Sequence, residues 1–263
     1  LAGLDIVALT DHNTCGNCAA FCRAAEERDL LALAGMELCT REEIHVVCLF
    51  PTPHHGEEFE AYVSRRLPPL SNHPAVFGHQ IYMDAGNLVL GEDPRFLAGH
   101  TDIGLEEVSR LAAAFGGAAF PAHIDRPSFS LLGVLGLWMP ELGFPLAEVS
   151  RQCPPEFRLR PDLAGLRLIT NSDAHYLDQV WEAEHTMELP ERTAAAVLYW
   201  LQGTREIFLF TNIVRCVILA FVKDLTIKNR FPVHGLYSTP LRYARPAQRS
   251  GFFLPFIFSL ANF

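Results

Sequence analysis

The sequence predicts an α/β protein in which the strands form a parallel sheet or a β/α barrel. Apolar runs of strand length alternate with helical segments over most of the chain, which is the pattern of a parallel sheet or barrel. Histidine and acidic residues also stand at, or just after, the ends of several of these runs. Side chains at successive strand ends meet at one mouth of a barrel, where such folds bind metals and perform chemistry.

The strands are predicted from short apolar runs that polar or turn residues bound. The first run covers residues 4–10 and ends at Asp11. A hairpin is predicted in residues 80–93, because a turn sequence at residues 85–87 separates two short runs. The other strands are predicted at 30–38, 42–50, 118–124, 146–151, 166–175 and 184–190.

The helices are predicted from apolar spacing and from residues that begin or end a helix. Thr14 is suited to begin a helix that runs to about Arg28. The segment 104–117 has apolar residues on one face and ends in two glycines, which favours an amphipathic helix with a glycine stop. Further helices are predicted at 56–67, 161–165 and 191–203.

Composition limits the function classes. The formal net charge of −9 argues against a general nucleic-acid binder, although bound metals would still allow a phosphate substrate. Seven cysteines, an odd number, indicate reduced thiols in a cytoplasmic protein rather than a disulfide scaffold. Cys15, Cys18 and Cys22 would share one helix face, so we predict that they pack as small hydrophobic side chains; a thiolate metal site is the alternative.

The C-terminal residues 204–263 differ from the rest of the chain. They carry eight Lys or Arg and two acidic residues, and they contain nine of the nineteen Phe. We therefore predict one domain at 1–203 and an atypical basic, aromatic tail at 204–263. The tail is interpreted as an added segment, disordered or membrane-leaning, or as the product of out-of-frame translation. A membrane-surface or nucleic-acid anchor is a further alternative.

Six side chains at the strand ends are candidate metal ligands: His12, Glu37, His45, His123, Asp173 and His175. Imidazole and carboxylate together suit Zn²⁺, Mn²⁺ or Fe²⁺. The carboxylates could bridge ions and the histidines could be terminal ligands. In the segment 171–175, a D-x-H pair places two ligands on the same side of an extended chain. Taken singly, His45 could equally be an ordinary strand residue on a solvated face.

Three further residues are predicted around this site. Asp11 lies beside His12 and would orient an imidazole or act in catalysis. Arg126 and Arg151 follow two of the predicted strands and could neutralise a phosphate through bidentate contacts. The predicted chemistry is the attack of a metal-activated hydroxide on phosphorus.

The stretches VALTDHNT, GMELCTREEIHVVCLF, PAHIDRP and NSDAHYL occur in this order along the chain. They resemble the successive motifs of the PHP (polymerase and histidinol phosphatase) superfamily, in particular its stand-alone metal-dependent phosphoesterases, over residues 3–202. The resemblance implies a distorted (β/α)7 barrel with up to three divalent ions. It also implies phosphoester hydrolysis of a small phosphorylated substrate or nucleotide, and the six candidate ligands match ligands of the family. From this and the net charge together, we expect no stable nucleic-acid complex.

The chain departs from the family in one respect. The family begins with an H-x-H motif on its first strand, and residues 1–10 do not supply it. We therefore expect a barrel that lacks its first strand, a natural N-terminus upstream of Leu1, and weak or absent activity in the chain as it stands. A non-catalytic PHP module that binds metal and acts as a scaffold or regulator is the alternative to the enzyme.

Overall fold

The computed structural model describes residues 3–176, 179–180, 186–203, 214–222 and 226–227, the last two ranges as backbone strands only. Eleven strands are present in this part of the chain. In chain order they are β1 (Ile6–Leu9), β2 (Leu31–Cys39), β3 (His45–Phe50), β4 (His79–Met83), β5 (Val89–Glu92), β6 (Ala118–Pro121), β7 (Leu146–Val149), β8 (Arg167–Thr170), β9 (Thr186–Leu189), β10 (Val214–Val222) and β11 (Thr226–Ile227). Almost every strand predicted from an apolar run is therefore present, with shorter bounds.

The strands form three sheets. The main sheet has six strands in the order β6-β3-β2-β1-β10-β9, a second sheet has the order β11-β4-β5, and β7 pairs with β8. The α/β class is confirmed. Within the described residues, however, these sheets do not close into a barrel, so the predicted (β/α)7 barrel is not confirmed.

Strand direction in the main sheet is mixed rather than parallel throughout. β1 pairs in parallel with β2 and β10, whereas β3 is antiparallel to both β2 and β6. The connection between β2 and β3 consists only of residues 40–44. A parallel pair needs a crossover of a dozen or more residues, so this short turn produces an antiparallel hairpin. The alternation of apolar runs alone did not contain that information.

Within the described ranges, six α-helices cover the sheets: α1 (Cys18–Glu26), α2 (Pro53–Ser64), α3 (Pro74–Phe77), α4 (Leu105–Ala114), α5 (Leu131–Leu135) and α6 (Ala194–Leu201). The first helix begins later than predicted. Asn17 is its N-cap residue, and Thr14 lies in the preceding turn, where its hydroxyl oxygen accepts from Gly16 N at 3.0 Å and its hydroxyl donates to Glu60. A turn stabilised by Thr14 therefore separates β1 from α1.

Two apolar layers lie on the two faces of the main sheet. One contains buried residues of α1, α2, α4 and α5, and the other contains those of α6. Cys15 and Cys18 belong to the first layer, and both thiols donate to the carbonyl oxygen of Gly35. Burial raises the pKa of Cys15 well above its ordinary value. The prediction of small hydrophobic packing is therefore confirmed for Cys15 and Cys18, although Cys15 precedes α1 and Cys22 is only half-buried.

The predicted division of the chain near Gly203 stays a prediction. Of the tail, only the backbone of β10 and β11 is described, and β10 lies in the main sheet between β1 and β9. The rest of the predicted tail lies outside the described residues. Among the helices of the described residues, none is both long enough and apolar enough to cross a membrane.

Candidate metal site

Glu37 is the centre of the candidate site. It lies near the C-terminal end of β2, and the residue is fully buried. Its Oε2 atom is 3.3 Å from His12 Nδ1 and 3.3 Å from His45 Nδ1, while its Oε1 atom is 3.5 Å from His123 Nε2. Burial of a carboxylate is costly unless opposite charge or a metal compensates it. The buried carboxylate of Glu37 needs such compensation, and the three imidazoles around it could bind a metal ion together with it.

The backbone brings His12 beside Glu37. His12 forms an isolated parallel bridge with Glu37 just beyond the end of β1. The amide of Glu37 donates to Asp11 O at 3.0 Å, and the amide of Asn13 donates to Glu37 O at 3.1 Å. The pairing of β1 with β2 thus continues for a few residues past the strand and fixes the distance between the imidazole and the carboxylate.

His45 and His123 approach Glu37 from the other side of β2. His45 is the first residue of β3, and it pairs across the hairpin with Cys39, two residues beyond Glu37. His123 follows β6 and is held by neighbouring hydrogen bonds, from Ala122 N to His45 O and from Ile124 N to Glu148 O. The ring centroid of His45 is 5.0 Å from that of His12 and 5.4 Å from that of His123.

The spacing of these donor atoms fits a shared divalent ion. Ligands of a tetrahedral ion bound at about 2.0–2.1 Å stand about 3.3–3.5 Å from one another, by geometry alone. The contacts of Glu37 with His12 and His45 have this length, and one ligand atom from each of the three residues lies within 4.8 Å of the others. Nitrogen and carboxylate oxygen donors suit Zn²⁺, Mn²⁺ and Fe²⁺ alike.

The predicted ligands Asp173 and His175 lie at the edge of this group. Asp173 Oδ2 is 2.5 Å from a guanidinium nitrogen of Arg126. The Nδ1 atom of His175 is 3.1 Å from the carbonyl oxygen of Asp173. A pocket of about 90 Å³ opens beside Glu37, and its walls include His175 and Arg126. The complete lining is His12, Glu37, His45, His123, Arg126, Ser128, Phe129 and His175.

The other two predicted site residues have different surroundings. Asp11 is buried, and its carbonyl oxygen accepts the amide of Glu37. Arg151 is exposed beyond the end of β7, and it does not belong to the pocket lining among the described residues. The roles predicted for Asp11, Arg126 and Arg151 therefore stay predictions, as does the metal-binding role of each candidate ligand.

Several backbone positions around the pocket are left-handed although they are not glycine. Asn13 has φ +51°, His123 has φ +33°, Phe129 has φ +52° and Asp173 has φ +46°. Such conformations are uncommon for residues with a side chain, and they cluster at functional sites, where the surrounding structure holds them in place. Their concentration around one pocket is a second, independent indication of a functional site.

Sequence reasoning missed Asn13 and Phe129. The buried Asn13 side chain donates to Leu97 O at 2.8 Å and to Gly99 O at 2.7 Å, and its Oδ1 accepts from Cys39 N at 3.0 Å. It therefore fixes the loop next to His12. Phe129 stacks on His45 with 4.9 Å between ring centroids and 21° between ring planes. The only local signal for the role of Asn13 was its position beside the D-H pair. No local signal indicated the role of Phe129.

The negative charge of the site affects a neighbouring thiol. Cys39 lies at the end of β2 and is buried. Burial, and to a smaller extent the charges of Glu37 and Glu43, raise the pKa of Cys39 to about 12. Since metals bind the thiolate form of cysteine, this environment favours the imidazoles and the carboxylate as ligands.

The fold and the site together define an α/β protein in which the buried Glu37 and two half-buried histidines form a group that can hold a divalent metal ion. No protein-family model matches this chain, and no match was found among curated proteins.

Solved structures with partial likeness include a lesion-specific endonuclease of Pyrococcus furiosus, PfuEndoQ, at 12% identity and a TM-score of 0.46. This likeness covers 76% of this chain and 56% of that chain. A proposed metal-dependent phosphoesterase of Bifidobacterium adolescentis has 19% identity and a TM-score of 0.45, over 65% of this chain and 77% of that chain.

A third structure is Endonuclease Q in complex with a 27-mer duplex substrate that has an abasic lesion at the active site. It has 13% identity and a TM-score of 0.47, over 82% of this chain and 50% of that chain. This chain thus spans about half the length of the two endonuclease chains. Likeness at this level does not assign the chain to a family or an activity.

One sequence-based prediction is corrected here. A small phosphorylated substrate or nucleotide was predicted, without a stable nucleic-acid complex. Two of the three similar structures are instead endonucleases, and one of them is bound to a 27-mer duplex substrate with an abasic lesion. The prediction was wrong: the small substrate came only from the family resemblance, and the exclusion of nucleic acid came from the overall charge of the chain, which says little about the surface immediately around a metal site.

Proposed function

We propose that this protein is a divalent-metal-dependent hydrolase that cleaves a phosphoester bond. The observation that carries the proposal is the contact of the buried Glu37 carboxylate with three imidazoles at 3.3–3.5 Å, at the base of an open pocket. His12, Glu37, His45 and His123 would hold the ion. Asp173 and His175 are candidates for a further ion.

The chain's own residues divide the remaining tasks. A bound divalent ion supplies Lewis-acid chemistry and lowers the pKa of water. The carboxylate of Glu37 would hold the three imidazole nitrogens together around the ion. Arg126 lines the pocket, and its half-exposed guanidinium can neutralise a phosphate through parallel N–H donors.

The pocket also limits which part of a substrate can enter. At about 90 Å³ it has room for the reacting group but not for a large attached moiety. The rest of the substrate would therefore lie across the rim, against Ser128, Phe129 and Arg126. Water activated at the ion and a phosphorus atom held at the rim would be brought together, as phosphoester hydrolysis requires.

The proposal is tested by removing and restoring metal. Protein stripped with EDTA should hydrolyse bis(p-nitrophenyl) phosphate only after addition of Mn²⁺ or Zn²⁺, and its melting temperature should rise with the same ions. Metal binding without hydrolysis of this ester or of an oligonucleotide would favour the non-catalytic scaffold instead. If no ion is bound and no activity is restored, the metal site itself is refuted.

A further inference from the structure

Phe129 is an aromatic side chain that stands partly in solvent at the rim of the candidate site. Its exposed fraction is 44%, and the ring lines the pocket. One face of the ring stacks on His45, with 4.9 Å between centroids and 21° between planes. With one face of the ring on His45, the exposed remainder of the side chain is available for contact with a ligand.

The position of Phe129 is held by the surrounding backbone. Its carbonyl oxygen accepts the amide of His45 at 3.0 Å. The next residue, Ser130, is the N-cap of α5: its Oγ accepts from Gly133 N at 3.0 Å and donates to Arg126 O at 2.5 Å. Phe129 itself has φ +52°, which a residue with a side chain rarely adopts. An exposed apolar ring fixed at a metal pocket in such a conformation points to a ligand.

Arg126 lies on the same short turn. Its amide donates to His123 O at 3.0 Å, so the turn starts directly from a candidate metal ligand. The guanidinium, which suits a phosphate, and the phenyl ring, which suits a flat apolar group, are therefore presented by one rigid segment. A nucleotide unit combines these two groups, because a planar base is attached through a sugar to a phosphate.

We propose that Phe129 stacks on the base of the nucleotide whose phosphoester is cleaved, and that the substrate is a nucleic acid with an unpaired base at the reacting position. This inference rests on the proposed phosphoester hydrolysis and names its substrate class. Stacking suits every base because each has a π face, so it provides affinity without sequence preference. A base paired in a duplex stack would not offer a free face, so the reacting nucleotide is unstacked.

The net charge of the chain is consistent with a contact that is limited to the rim of the pocket. The formal net charge is −9, so a broad basic surface does not supply the affinity. Binding then depends on the ion, on Arg126 and on stacking. The competing explanation is that Phe129 only shields His45 from water, in which case its replacement would change metal affinity and leave the preference for a base unaltered.

Two fluorescein-labelled eight-nucleotide strands test the proposal, oligothymidylate and the same strand with tetrahydrofuran abasic sites. Their binding to the protein is measured by anisotropy with Mn²⁺. Wild type should bind oligothymidylate roughly tenfold more tightly than the abasic strand. Phe129→Leu should remove this preference and Phe129→Trp should keep it. Phe77→Leu is the matched control, since Phe77 has an exposed fraction of 43% and packs against Phe96 in a tilted arrangement, away from the pocket lining.

Hydrolysis of two ester substrates then distinguishes this inference from the proposed function. Thymidine 5′-(p-nitrophenyl phosphate) and methyl p-nitrophenyl phosphate share a leaving group, and only the first has a base. Phe129→Leu should lower kcat/KM for the first about tenfold more than for the second, because only the first loses a stacked base. Wild type that prefers the base in binding but cleaves neither ester would contradict the hydrolase alone. A base preference that is absent in wild type, or retained in Phe129→Leu, would overturn the stacking inference.

Discussion

Arg126 and Asp173 form an ion pair at the edge of the candidate site, with 2.5 Å between a guanidinium nitrogen and a carboxylate oxygen. Both residues were predicted to act there, one on phosphate and the other on metal. In this arrangement the guanidinium already neutralises one carboxylate oxygen of Asp173. An ion bound by Asp173 would therefore compete with Arg126, and Arg126 released from the pair would be available for a phosphate.

The competition predicts that Arg126→Met increases metal affinity. The guanidinium is 41% exposed, and half-exposed ion pairs contribute up to about 1 kcal/mol, so the gain should reach up to about fivefold. Electron paramagnetic resonance measures the free Mn²⁺ during a titration, and this gives the change in metal affinity. Arg110→Met, an exposed arginine on α4, is the control. Unchanged or weaker Mn²⁺ binding in Arg126→Met would show that Asp173 does not bind an ion.

Glu37→Gln should abolish the metal response. The amide keeps the size of the side chain but removes the negative charge that faces three imidazoles. We expect Mn²⁺ binding to weaken by more than about a hundredfold, beyond what loss of an outer contact costs. Isothermal titration calorimetry measures this, with the exposed Glu57→Gln as control. Equal Mn²⁺ affinity in Glu37→Gln and wild type would show that the metal binds elsewhere in the protein.

Asn13→Ala should destabilise the protein by about 3 kcal/mol, because three buried hydrogen bonds are lost at roughly 1 kcal/mol each. Urea unfolding measures the change. Asn13→Gly separates the causes, since glycine relieves the φ of +51° but also lacks the side-chain contacts. A loss in Asn13→Gly close to that in Asn13→Ala would assign the effect to the hydrogen bonds. If both variants lose less than about 1 kcal/mol in the free energy of unfolding, Asn13 does not fix the loop next to His12 through these hydrogen bonds.

Cys22 should react slowly with iodoacetamide in the native protein despite its partial exposure. Burial, followed by the charge of Cys18, raises the pKa of the Cys22 thiol to about 12. Because the thiolate is the reactive form, the rate should keep rising about tenfold per pH unit from pH 8 to pH 11. In the unfolded chain it should level off near the ordinary pKa of about 8.5. Peptide mass spectrometry follows the labelling, and a native rate that levels off near pH 9 would contradict the raised pKa.

The same shift has a consequence for stability. The folded state has the higher pKa, so it favours the protonated thiol. Its contribution to the free energy of unfolding is complete below the unfolded pKa of about 8.5 and declines as pH rises from there toward 12. Cys22→Ser should therefore flatten the alkaline part of the stability profile, which urea unfolding at several pH values would show.

Local pattern was sufficient for β1 to β9 and for most of the helices, because apolar runs and turn residues determine them directly, but it did not predict β10 or β11. It also identified His12, Glu37 and His123, since each lies where an apolar run ends. His45 had the weakest local signal. Its contact with Glu37 depends on the β2–β3 register, in which His45 pairs with Cys39. That register follows from the short turn at residues 40–44, and spacing along one strand does not show it.

Long-range contacts account for what could not be predicted. Asn13 bonds to Leu97 and Gly99, more than eighty positions away, and no local motif encodes such a contact. Phe129 meets His45 across a similar distance in sequence. Sheet closure is also a long-range property, and a regular succession of strands and helices was compatible with both an open and a closed arrangement.

The place of β10 in the main sheet affects how this protein can be shortened for experiments. Val214–Val222 forms backbone hydrogen bonds with β1 on one side and β9 on the other, although it lies beyond the predicted end of the domain. A version that stops at Gly203 would leave the amides and carbonyls of β1 open along one edge, and unpaired edges recruit other chains. Self-association of such a shortened protein would then reflect the missing strand rather than any natural oligomer.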